Sequence, residues 1–236
     1  MAVYVTADLH GYPLKDFLGF LKKTGFGNDD FLFILGDVID RNGDGGVEIL
    51  RWMMCQPNVQ FILGNHEKMM LDSAFVFDEI TEESVNTLRS DKMDQLSGWL
   101  ACGGDVTLHS LKVLKHKDPE LVEEMIHFCA EAPLYESVTV GSKDYLLVHS
   151  GLGNFSIEKS IESYTTDELL WTRPKLEDRY FDDVKTIIGH TPTQYYGFKY
   201  YGRALKTVTW INIDTSAAYE GYPMLLRLDD LKEFYI

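Results

Sequence analysis

Five short apolar runs in this chain each end directly in a cluster of residue types that bind metals or move protons. Val3-Tyr4-Val5-Thr6-Ala7 gives way to Asp8-Leu9-His10-Gly11, and Phe31-Leu32-Phe33-Ile34-Leu35 runs into Gly36-Asp37-Val38-Ile39-Asp40-Arg41. Val59-Gln60-Phe61-Ile62-Leu63 meets Gly64-Asn65-His66-Glu67; later, Tyr145-Leu146-Leu147-Val148 meets His149, and Val184-Lys185-Thr186-Ile187-Ile188 meets Gly189-His190. Runs this short and rich in β-branched residues read as buried strands. In open α/β sheets, sites gather just beyond the carboxyl ends of the strands. The pattern therefore predicts an α/β fold with one site built from five strand ends.

Composition narrows the function classes. A chain of 236 residues that is 45% hydrophobic can bury a core for one domain, residues 1–236. The net charge of −15 argues against a broad surface for a phosphate backbone, so no nucleic-acid partner is expected. Cys55, Cys102 and Cys129 are odd in number and far apart, which fits neither a disulfide framework nor a zinc knuckle. With no bilayer-length apolar stretch and no basic-then-apolar leader, the chain reads as cytoplasmic, without a membrane partner.

Residues 1–74 alternate strand and helix, with helices expected at 14–23, at 47–55 after the turn Gly43-Asp44-Gly45-Gly46, and from His66 or Glu67 onward. From 75 to 132 strand-like runs vanish and helical patterns take over. In the stretch 119–129, Leu121, Met125, Ile126 and Cys129 would share one face. This predicts a helical insertion beside the site, a candidate cap. Strands are expected again at 134–140, 145–148, 184–188, 208–213 and 224–228.

Taken singly, each polar residue has an ordinary explanation. An aspartate after a strand is usually a turn or capping residue, and a histidine there is usually hydrogen-bonded structure. The conjunction reverses that judgement. Asp8 and His10 are two apart, so on extended backbone they leave the same face and reach one ion. Asp37 offers two oxygens that can bridge two ions, and Asn65, His149 and His190 complete the set. Two aspartates against two divalent ions leave the site positive, which suits a phosphate dianion and lowers the pKa of bound water. Mixed oxygen and imidazole donors suit Mn²⁺, with Fe²⁺ or Zn²⁺ as alternatives, better than Mg²⁺ or Ca²⁺.

The three segments Asp8-Leu9-His10-Gly11, Gly36 to Arg41 and Gly64 to Glu67 resemble the signature motifs of the calcineurin-like metallophosphoesterases, in their phosphoprotein phosphatase (PPP) branch. His149-Ser150-Gly151 and Gly189-His190-Thr191-Pro192 are similar to that family's later motifs, in the expected order. The resemblance reaches from the first strand to about Asp214 and is greatest for bacterial and phage-type serine/threonine phosphatases. It implies two mixed β-sheets packed as a sandwich and flanked by helices. It also implies that Asp8, His10 and Asp37 hold one metal, and that Asp37, Asn65, His149 and His190 hold the other. His66 would be the general acid and Asp40 its orienting partner, with Arg41 and Arg173 binding phosphate oxygens. Glu67 would support the site from behind. Asn42 departs from the family's glycine after the motif arginine, which puts the loop's shape in question; the stretch containing Tyr195, Tyr196, Tyr200, Tyr201 and Tyr219 reads mainly as packing.

The function expected from this resemblance is removal of phosphate from phosphoserine or phosphothreonine proteins, or other phosphomonoesters, by direct attack of a hydroxide shared between two metals. The alternative is hydrolysis of dinucleoside polyphosphates such as diadenosine tetraphosphate, and a minor one is a catalytically silent metal-binding scaffold. The partner is then a phosphoprotein or a small phosphorylated substrate.

Overall fold

The computed structural model describes residues 1–78, 90–219 and 221–236, and all five apolar runs form strands in it. Among the described residues the strands are β1 (Val3–Thr6), β2 (Phe31–Leu35), β3 (Val59–Ile62), β4 (Tyr135–Val140), β5 (Lys143–Val148), β6 (Val184–Ile188), β7 (Leu205–Lys206), β8 (Trp210–Asn212), β9 (Met224–Arg227) and β10 (Lys232–Tyr235). They form two mixed sheets, β10-β9-β1-β2-β3 and β4-β5-β6-β8-β7. The parallel strands β1, β2 and β3 in one, and β5, β6 and β8 in the other, all carry their carboxyl ends to one edge of the sandwich.

Burial on both faces of the period-two strands explains why these runs are mostly apolar. Val3, Val5, Phe33, Leu35 and Ile62 of the first sheet pack against Tyr145, Leu147, Ile187 and Ile211 of the second. The alternate residues Tyr4, Leu32, Ile34 and Phe61 face outward into a second cluster with the helices. Leu146, Val148, Ile188 and Trp210 do the same on the other side, under the segment containing Leu152, Tyr164, Leu169 and Tyr180. Both faces of each central strand are buried.

The helices are α1 (Leu14–Thr24), α2 (Val47–Met54), α3 (Asn65–Asp72), α4 (Ser90–Trp99), α5 (Asp105–Lys115), α6 (Pro119–Ala130) and α7 (Thr166–Leu170). The expected helical segment is present as α4, α5 and α6; residues 79–89 of its range lie outside the described residues. Its α6 is fixed by Asp118, whose carboxylate accepts from Leu121 N, and by Pro119 at the first helical position. The buried face of α6 is Val122, Met125 and Cys129, so Leu121 and Ile126 flank the seam rather than form it. The segment packs against α2 and α3. Helix α3 begins at Asn65, one residue before its expected start. The strand expected at 208–213 is confined to Trp210–Asn212, because Thr207 closes a turn onto Trp210 through backbone and side chain. Strands β7 and β10 have no counterpart among the expected elements: one is two residues long, and the other is an edge strand whose side chains are largely solvated.

Candidate active site

Every polar cluster singled out in the sequence meets at the shared edge of the sandwich. Asp8 and His10 follow β1, Asp37, Asp40 and Arg41 follow β2, and Asn65 and His66 open α3 after β3. His149 and His190 follow β5 and β6. Asp8, His10, Asp37, Asp40, Arg41 and His190 all take positive φ, between 42° and 75°. Non-glycine residues held there are strained, and strain of this kind concentrates where surrounding structure fixes a functional geometry. Here the chain turns back at each strand end so that the side chain points inward.

Two donor groups converge on Asp37. His10, Asp37 and His66 form one, and Asp37, His149 and His190 form the other, each with its ligand atoms mutually within 4.8 Å. Oδ2 of Asp37 lies 3.5 Å from His10 Nε2, while Oδ1 lies 3.4 Å from His149 Nε2. His10 Nδ1 donates to Ile39 O and His149 Nδ1 donates to Leu35 O, which leaves both Nε2 atoms as bare lone pairs. Asn65 Oδ1 is 2.9 Å from His149 Nε2 and 2.8 Å from His190 Nδ1. The Asn65 carbonyl thus faces a bare nitrogen of His149, acceptor against acceptor, and the buried His190 Nε2 has no hydrogen-bond partner among the described residues. Burial holds His10 and His149 below the ordinary imidazole range, and burial followed by repulsion from His149 lowers His190 to about 3, so a proton on any of these rings is readily lost. Lone pairs converging among buried side chains are what a cation relieves, and the donor chemistry fits a divalent transition ion.

Asp37 carries the charge of this centre. Burial alone would raise its pKa, but the attraction of the positive charge that the surrounding imidazoles can take up, His149 first and then His66, outweighs burial and holds the carboxyl well below its usual value. Asp8 stands slightly apart, with both oxygens accepting from His190 N at 3.0 Å. Burial, then the neighbouring charges of Asp214 and Asp37, push its carboxyl well up.

His66 occupies the floor between the donors and the arginines. Its Nδ1 is 2.7 Å from Asp40 Oδ2, and Arg41 Nη2 donates to its Nε2 at 3.2 Å. A guanidinium can only donate, so in this contact the ring proton sits on Nδ1, facing Asp40. Burial opposes a charged ring, yet Asp37 and Asp40 together raise the His66 pKa above the ordinary imidazole value. Arg41, Arg173, Asn65, His66, Asp37 and His190 line one pocket of about 110 Å³. That is room for a phosphate group.

Glu67 supports the site as expected, in a way spacing could not show. Its Oε2 accepts from the backbone N–H of Asp37 and Gly64, and its Oε1 from Val38 and Ile39. One carboxylate thus holds the β2 and β3 ends together. Burial and the charge of Asp37 push it up to about 7 despite those bonds. Asn42 is not the left-handed residue of its turn; Asp40 and Arg41 are. Asn42 instead donates to the carbonyls of His10 and Ala218, tying the turn to the loop after β8.

Other pocket residues escaped the sequence reading. Asp214 adds a sixth strand end, after β8; it is buried and pushed up to about 7, chiefly by burial. The sequence signal was there, an apolar run ending in Asp214-Thr215. The tyrosine-rich stretch divides: Tyr196 and Tyr200 pack under the second sheet, whereas Tyr195 and Tyr219 are exposed at the pocket mouth with Trp171. Trp99 and Thr107, both fully buried, bond the Asp40 carboxylate from the helical segment. Nothing in local spacing links them to Asp40, some sixty residues away.

Residues 1–215 match the family model of the calcineurin-like phosphoesterases. The chain belongs to that family. Among curated relatives, a protein of Acidovorax sp. (strain JS42) named symmetrical bis(5'-nucleosyl)-tetraphosphatase is 28% identical over 153 residues, covering 64% of this chain and 44% of that protein. A protein of the same name from Buchnera aphidicola subsp. Baizongia pistaciae is 32% identical over 104 residues, covering 42% and 37%. The chain's match spans less than half the length of either. Among solved structures, one described as a putative diadenosine tetraphosphatase superposes with a TM-score of 0.64 at 14% identity, covering 100% of this chain and 92% of the other. A serine/threonine phosphatase from Saccharomyces cerevisiae superposes at 0.56 with 17% identity, covering 100% and 80%. At such identities the likeness is one of fold. Among the described residues, no helix is long and apolar enough to cross a membrane.

Proposed function

We propose that the chain is a metal-dependent phosphohydrolase whose substrate is a dinucleoside polyphosphate. The family and the names of the curated relatives support this reading. The observation that carries it is the wall of the pocket: Trp171, Tyr195 and Tyr219 present exposed rings directly around two arginines and the Asp37 centre. A small anion-binding hole admits the phosphate under attack, and flat exposed rings outside it offer stacking surfaces to a base. Arg41 also lies over the Tyr219 ring, 5.2 Å from its centroid, which couples the anion-binding group to the aromatic rim.

On this reading Asp8, His10 and Asp37 hold one divalent ion, and Asp37, Asn65, His149 and His190 the other. Such ions supply Lewis-acid charge and lower the pKa of water. Arg41 and Arg173 bind the non-bridging oxygens of the phosphate, with Arg41 leaving His66 Nε2 to do so. That nitrogen is then free to carry a proton to the leaving oxygen, while Asp40 holds Nδ1 and so fixes the ring. A test follows from the rim: replacing Tyr195 and Tyr219 together by Ala should lower kcat/KM for diadenosine tetraphosphate about 10-fold or more. Inorganic tetraphosphate, which has no base, should lose much less. Equal losses on both would remove the aromatic argument.

One observation favours the phosphomonoester reading as an alternative. A buried His66–Asp40 dyad matters most when the leaving oxygen is a poor leaving group, as a serine alkoxide is, and a nucleoside diphosphate departs more readily. Protein or small phosphomonoesters therefore stand as the second substrate class.

A further inference from the structure

The Asp40 carboxylate is fully buried and no lysine or arginine pairs with it among the described residues' ion pairs; hydrogen bonds alone fix its direction. Oδ2 accepts from His66 Nδ1 at 2.7 Å and from the Trp99 indole Nε1 at 2.9 Å. Oδ1 accepts from the Thr107 hydroxyl at 2.6 Å. The same hydroxyl accepts from Asp40 N at 2.9 Å and lies 3.1 Å from Gly45 O. A hydroxyl has one proton to give, and the shorter contact assigns it to Asp40 Oδ1.

The segment that delivers these groups is shaped for the task. Helices α4 and α5 are joined by a π-type turn, Leu100–Gly104, in which Gly103 takes φ 97°. Gly103 O accepts from Arg41 N at 2.9 Å, so the turn also grips the residue beside Asp40. A Cβ on Gly104 would sit 2.4 Å from Trp99 Nε1, and one on Gly45 would sit 2.5 Å from the Thr107 hydroxyl. Both close approaches require glycine. Asp40 itself is held at φ 75°, a conformation that relaxes unless its surroundings enforce it.

We infer that Trp99 and Thr107 are positioning residues for proton donation by His66, acting through Asp40 from the helical segment. The inference rests on the reading of His66 as proton donor. With both carboxylate oxygens occupied from behind, Oδ2 has one direction left in which to accept the imidazole, and the ring's Nε2 is aimed accordingly. The helical segment thus borders the pocket through Cys102 and also holds Asp40 through Trp99 and Thr107.

The test uses the Mn²⁺-loaded enzyme and two substrates of similar shape, p-nitrophenyl phosphate and phenyl phosphate, the second leaving as an ordinary phenol of pKa about 10. Thr107→Val removes the hydroxyl at nearly constant volume, and Thr107→Ser keeps it. We expect Thr107→Val to lower kcat on phenyl phosphate about 10-fold, as loss of an orienting partner does, with p-nitrophenyl phosphate reduced less than about threefold. KM and metal content should hold, and Thr107→Ser should recover most of the loss. In the zinc-loaded protein, the downfield proton resonance of His66 Nδ1–H should shift in Thr107→Val and in Trp99→Phe, which provides a readout independent of turnover. Equal losses on both substrates, or an unmoved resonance, would overturn the inference. His66→Asn on the same pair separates the two claims: with leaving-group dependence there but not in Thr107→Val, only the inference falls, and with none in either, both fall.

Discussion

His66 Nδ1 lies 2.7 Å from Asp40 Oδ2 in a fully buried contact, while the other ring nitrogen faces the pocket. Such a ring can transfer a proton only at Nε2, and its value depends on how badly the leaving group needs that proton. His66→Asn should reduce turnover of a phosphoserine peptide by about 10²- to 10⁴-fold and that of p-nitrophenyl phosphate much less. Both metals should stay bound, as measured by elemental analysis. Metal loss would make His66 a ligand instead, a role its 3.9 Å distance from Asp37 Oδ2 brings within reach.

Asp37 is the only residue shared by both donor groups, and its two oxygens point to different ones. Asp37→Asn should therefore cost more metal and more activity than substitution of any other donor. Chelation should abolish hydrolysis and Mn²⁺ should restore it. Full turnover by protein shown to be metal-free would sink the assignment.

The four backbone N–H groups gathered by Glu67 make it a structural tie as much as a site residue. Glu67→Ala would leave these buried donors unpaired, each at a cost of about 1–3 kcal/mol, enough together to unfold a marginally stable domain. Glu67→Gln keeps one oxygen but turns an amide N–H₂ toward two donors, so it should be intermediate. Urea midpoints for the two variants would show the order; equal, small effects would contradict it.

Asp214 gives a pH-dependent prediction. Its folded pKa, about 7, exceeds the ordinary aspartate value of 3.8. In the metal-free chain the folded state therefore binds the extra proton between those values, and Asp214 lowers stability progressively as pH rises through that window. His10, His149 and His190 have depressed values and pull the other way below about pH 6.5, so the wild-type curve mixes the two effects. The comparison with Asp214→Asn isolates the carboxyl. Under chelator, the variant's Tm advantage should grow from about pH 4 to about pH 7 and then level. A constant difference would mean that Asp214 does not titrate there.

How far these features could be read beforehand depends on sequence distance. The strands that carry the site were legible because both faces of β1 and β2, and of the carboxyl halves of β5 and β6, are buried, which makes their sequences mostly apolar. Asp8, His10, Asp37, Asn65, His66, His149 and His190 were legible because each sits within three residues of such a run's end. The clamp on Asp40 was not. Trp99 and Thr107 belong to helices whose local pattern reports only burial, and tertiary packing alone brings them to a motif after β2. Edge strand β10 escaped for the converse reason, since its partly solvated side chains leave little pattern.

The central claim is substrate class, and side-by-side kinetics of the Mn²⁺-loaded enzyme address it most directly. On diadenosine tetraphosphate, a phosphoserine peptide and a phosphotyrosine peptide, the account predicts the highest kcat/KM for diadenosine tetraphosphate, by about 10-fold or more, since its phosphate chain reaches the arginines while its bases extend to the aromatic rim. A phosphoserine peptide turned over with the higher kcat/KM would contradict that claim and return the site to phosphomonoester hydrolysis.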